Sequence, residues 1–542
     1  MSTQPEPMAE ATATAEPSGQ VGLEEKKNSA RVQDVEADED MKNLDVIEQK
    51  MVLINRVINS QGMGRYQWCL FCLCGFGYLL DLAFAQLFGL IITPLQAELG
   101  VPNDSLGDLS SSFNAGLCAG AFIWGVLIDV IGRKWAFNIS LFVTSFFGLL
   151  LGVPSNFGAI CALAALCGLG LGGNIPIDAT ILLEFLPARK RWLLVLLSVF
   201  QPLGVLLCSL ICWGLIPTNA CDWNECISAD FPDGCCPKSS NMGWRYSCYT
   251  IGALTLGLFF IRFVVFNFRE SPKFLLVKGK DQQAVDVLNS IAKFNRVEGK
   301  CLSITVEDLQ HIDTVHSQSS SLKSSTPLIV AQPKKWYNVT HMKKLFSTKR
   351  AIFLTLLVWV IYICDYWSFS LAGSFLPIIL QRKGAARAIS QNETYRNYII
   401  QAVCGVPGVA LGAALVEVRW LGQKWSMAIT GALQGVTLFL FAVIDSQAGN
   451  VAFNTLEYFF QSAFNAILYS YAPQVFAASV RGTGVGTAST LGRLFSIVSP
   501  LIGAHILANT GLNDVLYVAG APMFGVALLC LLLPNIGRGH VF

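Results

Sequence analysis

The sequence predicts an all-α membrane protein of twelve transmembrane helices arranged as two six-helix halves. Three observations lead there. Of the 542 residues, 53% are hydrophobic and only 14% charged, with a mean hydropathy of +0.51, far more apolar than a soluble domain. About 20 apolar residues cross the hydrocarbon, and twelve such stretches lie near 67–92, 109–129, 136–154, 158–183, 193–216, 247–266, 351–376, 398–417, 426–444, 453–473, 485–508 and 515–534. Six precede and six follow one long polar segment, and landmarks recur between the two sets.

Taken in order, residues 1–64 form a polar cytoplasmic tail. "EEKKNSARVQDVEADEDMKN" cannot bury enough apolar surface to fold alone, while "VIEQKMVLINRVI" suits a short surface helix. The tail lacks a signal peptide's short apolar core and small-residue cleavage site, so the first span is expected to serve as its own insertion signal. Residues 65–266 are the N-terminal bundle, 267–350 a linker, 351–535 the C-terminal bundle and 536–542 a short tail. Lys and Arg in the linker ("RESPKFLLVKGK", "HMKKLFSTKR") place it, and both termini, on the cytoplasmic side. "GRK" at 132–134, "ARKR" at 188–191, Lys424 and Arg481 agree, and the basic loop after span seven dissents.

That dissenting loop carries a glycosylation sequon at Asn392, and Asn103 heads a second on the same outer side. The outer loop between spans five and six holds Cys221, Cys226, Cys235 and Cys236, which an oxidising compartment would join as two disulfides in one of three pairings. No C-x2-C pair supports zinc there. In the linker, Ser271 and Pro272 fit a helix start, and Ala284, Val287, Leu288 and Ile291 repeat at helical spacing. "HSQSSSLKSSTPL" reads as a flexible linker open to phosphorylation.

The repeat is explicit. "EFLPARKR" (Glu184, Arg191) and "QVFAASVR" (Gln474, Arg481) stand 290 residues apart, "GVLIDVIGRK" and "GAALVEVRWLGQK" about 288, and Asp81 and Asp365 284. Such halves are the plan of alternating-access transporters. The net charge of +2 gives no field for nucleic acid. No phosphate-binding Gly-Lys-Ser loop is present and the five histidines are scattered, so neither an enzyme nor a metal cofactor is expected.

The same residues carry a family likeness. "GVLIDVIGRK" (Gly125, Asp129, Gly132, Arg133, Lys134) resembles the loop between spans two and three of the major facilitator superfamily. "RESPKFL", "EFLPARKR" and "YSYAPQVFAASVRGTGVG" resemble signatures of its sugar-porter-like branch. "GMGRYQWCLFCLCGFGYLLD" and "GLGLGGNIPIDATILLEFLP" look closest to fungal members near the synaptic-vesicle-glycoprotein-like and niacin-porter-like transporters. The likeness covers roughly residues 62 to 535 and implies the major facilitator fold, with the loop acting as a latch and the linker bracing the halves. Ala164 stands where sugar porters carry an arginine, the Gln-Gln pair of span seven is absent, and Gln474 replaces a glutamate, all of which disfavour hexose.

Within that frame, Glu184 with Arg191 and Gln474 with Arg481 look like an inner-gate network, against the alternative of rim salt bridges without mechanistic weight. Asp81 and Asp365 are embedded acids, costly when charged in hydrocarbon and therefore suited to taking up a proton and releasing it when a cavity changes sides. The alternative satisfies each with a fixed partner. Asp178, in the loosened "GGNIPIDAT", could bind a cationic substrate, relay the proton or pair. Arg493 reads as the sole basic residue deep in a span, pairing with Asp81, Asp365 or Glu457 or recognising a substrate carboxylate. Glu457 fits an outer vestibule, and Asn114, Asn174, Gln201, Trp367, Gln461, Asn465 and Tyr469 are candidates for the cavity wall.

The expectation is a monomeric secondary transporter in the lipid bilayer, moving a cationic, zwitterionic or neutral organic solute by proton symport, without a cofactor. Its rivals are a proton-antiport exporter and a non-transporting sensor. The plasma membrane is expected, with the vacuolar membrane as the alternative.

Overall fold

The computed structural model describes residues 46–190, 193–221, 235–262, 268–321, 345–385, 390–418, 421–444, 446–476 and 481–534. Helices occupy all twelve stretches that hydropathy predicts, and no strand occurs among the described residues. Spans one to three are Arg65–Leu99, Gly107–Ile131 and Arg133–Leu150. Span four is broken into Phe157–Leu171 and Asn174–Phe185; Gly172 and Gly173 lie at the break, and Pro176 falls in the first turn of the second piece, where its missing N–H has no partner to lose. Span five joins Leu193–Leu196, a 3-10 turn and Phe200–Leu215, and span six is Gly243–Phe260. Spans seven to twelve are Lys349–Ala385, Gln391–Glu417, Gly422–Val443, Gln447–Val475, Arg481–Asn509 and Leu512–Cys530. Among the described residues, seven of the spans are long and apolar enough to cross a membrane on length and hydropathy alone. Serine caps set two of the starts: Ser390 Oγ accepts from the Glu393 N–H and Ser446 Oγ from the Gly449 N–H.

Burial is inverted relative to a soluble protein. Phe122, Phe146, Val443 and Leu528 are exposed, whereas Asp81, Asp178, Asp365, Glu457 and Arg493 are buried. An apolar exterior around a polar interior is what hydrocarbon as solvent selects.

Close packing between spans uses small residues in the same way in both halves. On span two, Gly116 and Gly120 lie against the backbone of Ala165 and Leu169, while Gly168 and Gly172 of span four lie against Phe113 and Leu117 in return. In the second half, Gly408 and Gly412 of span eight lie against the backbone of Phe459 and Ala463 on span ten. The Gly-x3-Gly pairs of spans two and eight stand 292 residues apart, in line with the sequence landmarks.

By packing, the described residues divide into two units, the first comprising residues 46–66, 186–188 and 272–321, the second the spans with their connections. In the first, helix Val46–Gln61 joins Pro272–Val277, Asp281–Asn295 and Val306–Ser321 around a core of Leu53, Ile54, Val57, Leu275, Leu288 and Leu309. Lys50 Nζ donates to Asp281 Oδ2 at 2.6 Å and to Asp313 Oδ2 at 2.8 Å. Burial alone would push the Lys50 ammonium down, but its two carboxylate partners outweigh it and hold the group above its ordinary value. The clasp therefore contributes fully at neutral pH, and its lysine charge is lost only as pH rises through that raised value.

Candidate functional site: a polar cavity between the two halves

A cavity of about 120 Å3 lies among the spans. The first half supplies Asp81 and Gln86 from span one, Asn114 from span two and Gln201 from span five. The second half supplies Asp365 and Tyr366 from span seven, Gln401 from span eight, Glu457, Gln461, Asn465 and Tyr469 from span ten, and Arg493 from span eleven. Asp81 lies within electrostatic reach of Arg493, and its Oδ1 makes no hydrogen bond to the protein. Around Arg493 the halves meet: its Nη1 donates to the Leu117 carbonyl at 3.3 Å, Asn114 Nδ2 donates to Ser370 Oγ at 3.1 Å and to the Ser496 carbonyl at 3.0 Å, and Ser111 Oγ donates to the Ile497 carbonyl at 2.8 Å. Tyr362 packs its ring 6.3 Å from those of Tyr366 and Tyr469, giving the cavity an aromatic side.

Three candidates lie off this wall. Asn174 is buried, its Oδ1 accepting from Ser140 Oγ at 3.0 Å, and Trp367 Nε1 donates to the Val518 carbonyl at 3.3 Å. Asp178 sits behind the wall, 3.8 Å from Arg262 Nη2, with both partners almost wholly buried. Arg262 also donates to the Leu73 carbonyl and places its guanidinium 3.8 Å from the Phe137 ring centroid. Arg493 is therefore not the only arginine buried among the spans. Arg262, in the apolar run "FFIRFVVF" at the inner end of span six, is a second, turned into the bundle rather than snorkelling to the membrane surface.

On the side the loop charges assign to the cytoplasm, Arg133 Nη2 pairs with Glu184 Oε1 at 3.3 Å. Glu270, within "RESPKFL", is not one of the candidates, yet it accepts from the backbone N–H of Arg133 at 2.9 Å and of Lys134 at 3.3 Å, an anion at the N-terminus of span three. The second half repeats the pair with amides: Gln423 Nε2 donates to Gln474 Oε1 at 3.4 Å, and both members stand 290 residues beyond Arg133 and Glu184. Gly132, at φ +97°, joins spans two and three in a conformation that favours glycine, whereas a Cβ on Gly125 would meet nothing. Arg191, Cys226 and the side chains of Asp129 and Arg481 lie outside the described residues.

On the opposite side the halves are held shut. Trp213 Nε1 donates to Asn392 Oδ1 at 2.6 Å, Gln391 Nε2 to the Cys221 carbonyl at 3.1 Å, Arg382 to Asn103 Oδ1 at 2.7 Å and the Tyr395 hydroxyl to the Leu90 carbonyl at 3.0 Å. Cys221 is bonded to Cys236, and Cys235 is also in a disulfide.

Two six-helix bundles closed on one side around a polar cavity define a membrane carrier for small solutes. The description Major Facilitator Superfamily matches residues 72–384, and the chain belongs to that superfamily. A relative named MFS siderochrome iron transporter 1, from Ceriporiopsis subvermispora strain B, is 36% identical over 498 residues, covering 91% of this chain and 92% of its own. The major facilitator-type transporter hxnZ of Emericella nidulans is 34% identical over 505 residues, covering 92% and 88%. Among solved structures, the xylose transporter XylE of E. coli in a partially occluded inward-open conformation superposes with a TM-score of 0.65 at 15% identity, over 88% of this chain and 100% of that one. This last likeness shows the fold.

Proposed function

We propose that the protein moves a small organic solute by alternating access, driven by proton symport. The observation that carries this reading is Asp81, a buried carboxylate on the cavity wall with an unpartnered oxygen and Arg493 within reach. A proton arriving at Asp81 releases Arg493 from its counter-charge, and its departure restores the attraction, so protonation and the arrangement of spans one and eleven are linked. One proton falling through about 100 mV is worth about 2.3 kcal/mol, enough for a roughly fortyfold gradient. Arg133 with Glu184 and Gln423 with Gln474 serve as the inner gate, and the disulfides, Asn103 and Asn392 lie on the non-cytoplasmic face.

The test is Asp81→Asn in proteoliposomes. Accumulation against a gradient should fail while solute exchange survives; unchanged accumulation would remove the coupling role from Asp81. A proton-antiport exporter would use the same acid, and the sign of the proton gradient that drives uptake separates the two.

A further inference from the structure

The cavity wall carries three carboxylates, Asp81, Asp365 and Glu457, against one cation, Arg493. They are not equivalent. Asp81 has Arg493 within reach, and Asp365 has a protein partner of its own. Glu457 is 1% exposed, its Oε1 makes no hydrogen bond, and no basic side chain among the described residues lies within ion-pair distance of it. It stands twelve residues before Tyr469 on span ten, roughly 18 Å along the helix axis, and Arg493 feels Tyr366, Asp81 and Tyr469 but not Glu457. Arg493 is thus placed to balance Asp81 and not Glu457.

The surroundings of Glu457 are polar and uncharged. Gln461, one turn further on, has its Nε2 buried without a hydrogen bond, and the Gln434 amide of span nine stands within reach of the Glu457 carboxyl. Tyr458 adds an aromatic ring to the same stretch of wall. An isolated carboxylate in low dielectric is stable only with a proton or a cation beside it. Amide oxygens and an aromatic face are the groups that complete a shell around an ammonium.

We propose that Glu457 recognises a positively charged nitrogen on the cargo, so that the solutes carried are organic cations or amine-bearing zwitterions. This rests on the cavity being the cargo chamber, as proposed above, and is independent of how transport is driven. With cargo bound, the ammonium sits against Glu457 between Tyr458 and Gln461, and the rest of the molecule extends toward Tyr366 and Arg493.

Equilibrium binding to the full chain in lipid nanodiscs, with no gradient present, tests it. The probes are choline, its neutral isostere 3,3-dimethyl-1-butanol, and tetraethylammonium, each read by the rise in melting temperature. At least one cation should stabilise the wild-type protein where the neutral isostere at equal concentration does not. Glu457→Gln should weaken that binding by about tenfold or more, with Glu457→Asp retaining the preference for charge. No stabilisation by either cation, equal stabilisation by the isostere, or undiminished binding in a folded Glu457→Gln protein would each overturn the proposal. The wild-type comparison decides even if the variant fails to fold. Because no gradient is applied, loss of coupling through Asp81 would leave these outcomes unchanged, and their failure would leave the Asp81 result standing.

Discussion

Asp178 and Arg262 form a buried ion pair at 3.8 Å in which neither carboxylate oxygen makes a hydrogen bond. Removing one partner of such a pair leaves the other charge stranded. We expect Arg262→Met to lower stability by about 3–5 kcal/mol, and the Asp178→Asn/Arg262→Met double variant to recover part of that loss in a thermal double-mutant cycle on detergent-solubilised protein. Strictly additive losses would mean that the two charges do not interact. Half of this pair was legible in the sequence. Asp178 stands out in an apolar span next to Gly and Pro, whereas Arg262 lies near the inner end of a span, where hydropathy cannot tell a snorkelling side chain from one turned inward. Glu457 and Arg493 were visible as charges in apolar runs, but only the folded chain separates the acid near the guanidinium from the one without it. Asn174 and Trp367 illustrate the converse: polar or aromatic identity on a span does not say which face meets the cavity.

At the level of helices, hydropathy located every span because length and apolarity are what hydrocarbon demands. The break in span four at Gly172 and Gly173 falls where Gly and Pro loosen "GGNIPIDAT", whereas the 3-10 turn through which span five begins leaves no mark, since it does not interrupt the apolar run. The match of "GVLIDVIGRK" with "GAALVEVRWLGQK" sets Gln423 opposite Arg133, but does not show that the first pairs with Gln474 and the second with Glu184, an amide contact in one half and an ion pair in the other. The Gly-x3-Gly contacts acquire meaning only once spans two and four, and eight and ten, are seen to touch. They make a sharp comparison. A Cβ on Gly116 would collide with the Ala165 carbonyl, whereas one on Gly125 would meet nothing within 4 Å. Gly116→Ala should therefore destabilise by about 1–3 kcal/mol, seen as a lowered melting temperature, and Gly125→Ala should melt with the wild type. Equal melting of the two variants would remove close approach as the reason for glycine at 116.

For the whole molecule, spans one and seven lie so near on the closed side that a Cβ on Gly89 would lie 2.8 Å from the Gly373 carbonyl. Gly89→Leu should hold the outer side open. Transport should then fall about tenfold or more, which a shift of only about 1.4 kcal/mol in the closing equilibrium produces, while monodisperse protein is still recovered. Full transport by this variant would mean that the two backbones need not meet. A different consequence follows from the small unit built on helix Val46–Gln61. Proteolytic clipping after Gln61 would bare Leu275 and Leu288 to water and leave Asp281 and Asp313 without the lysine that holds them. Helix Val46–Gln61 is thus a plug that the linker helices depend on for solubility.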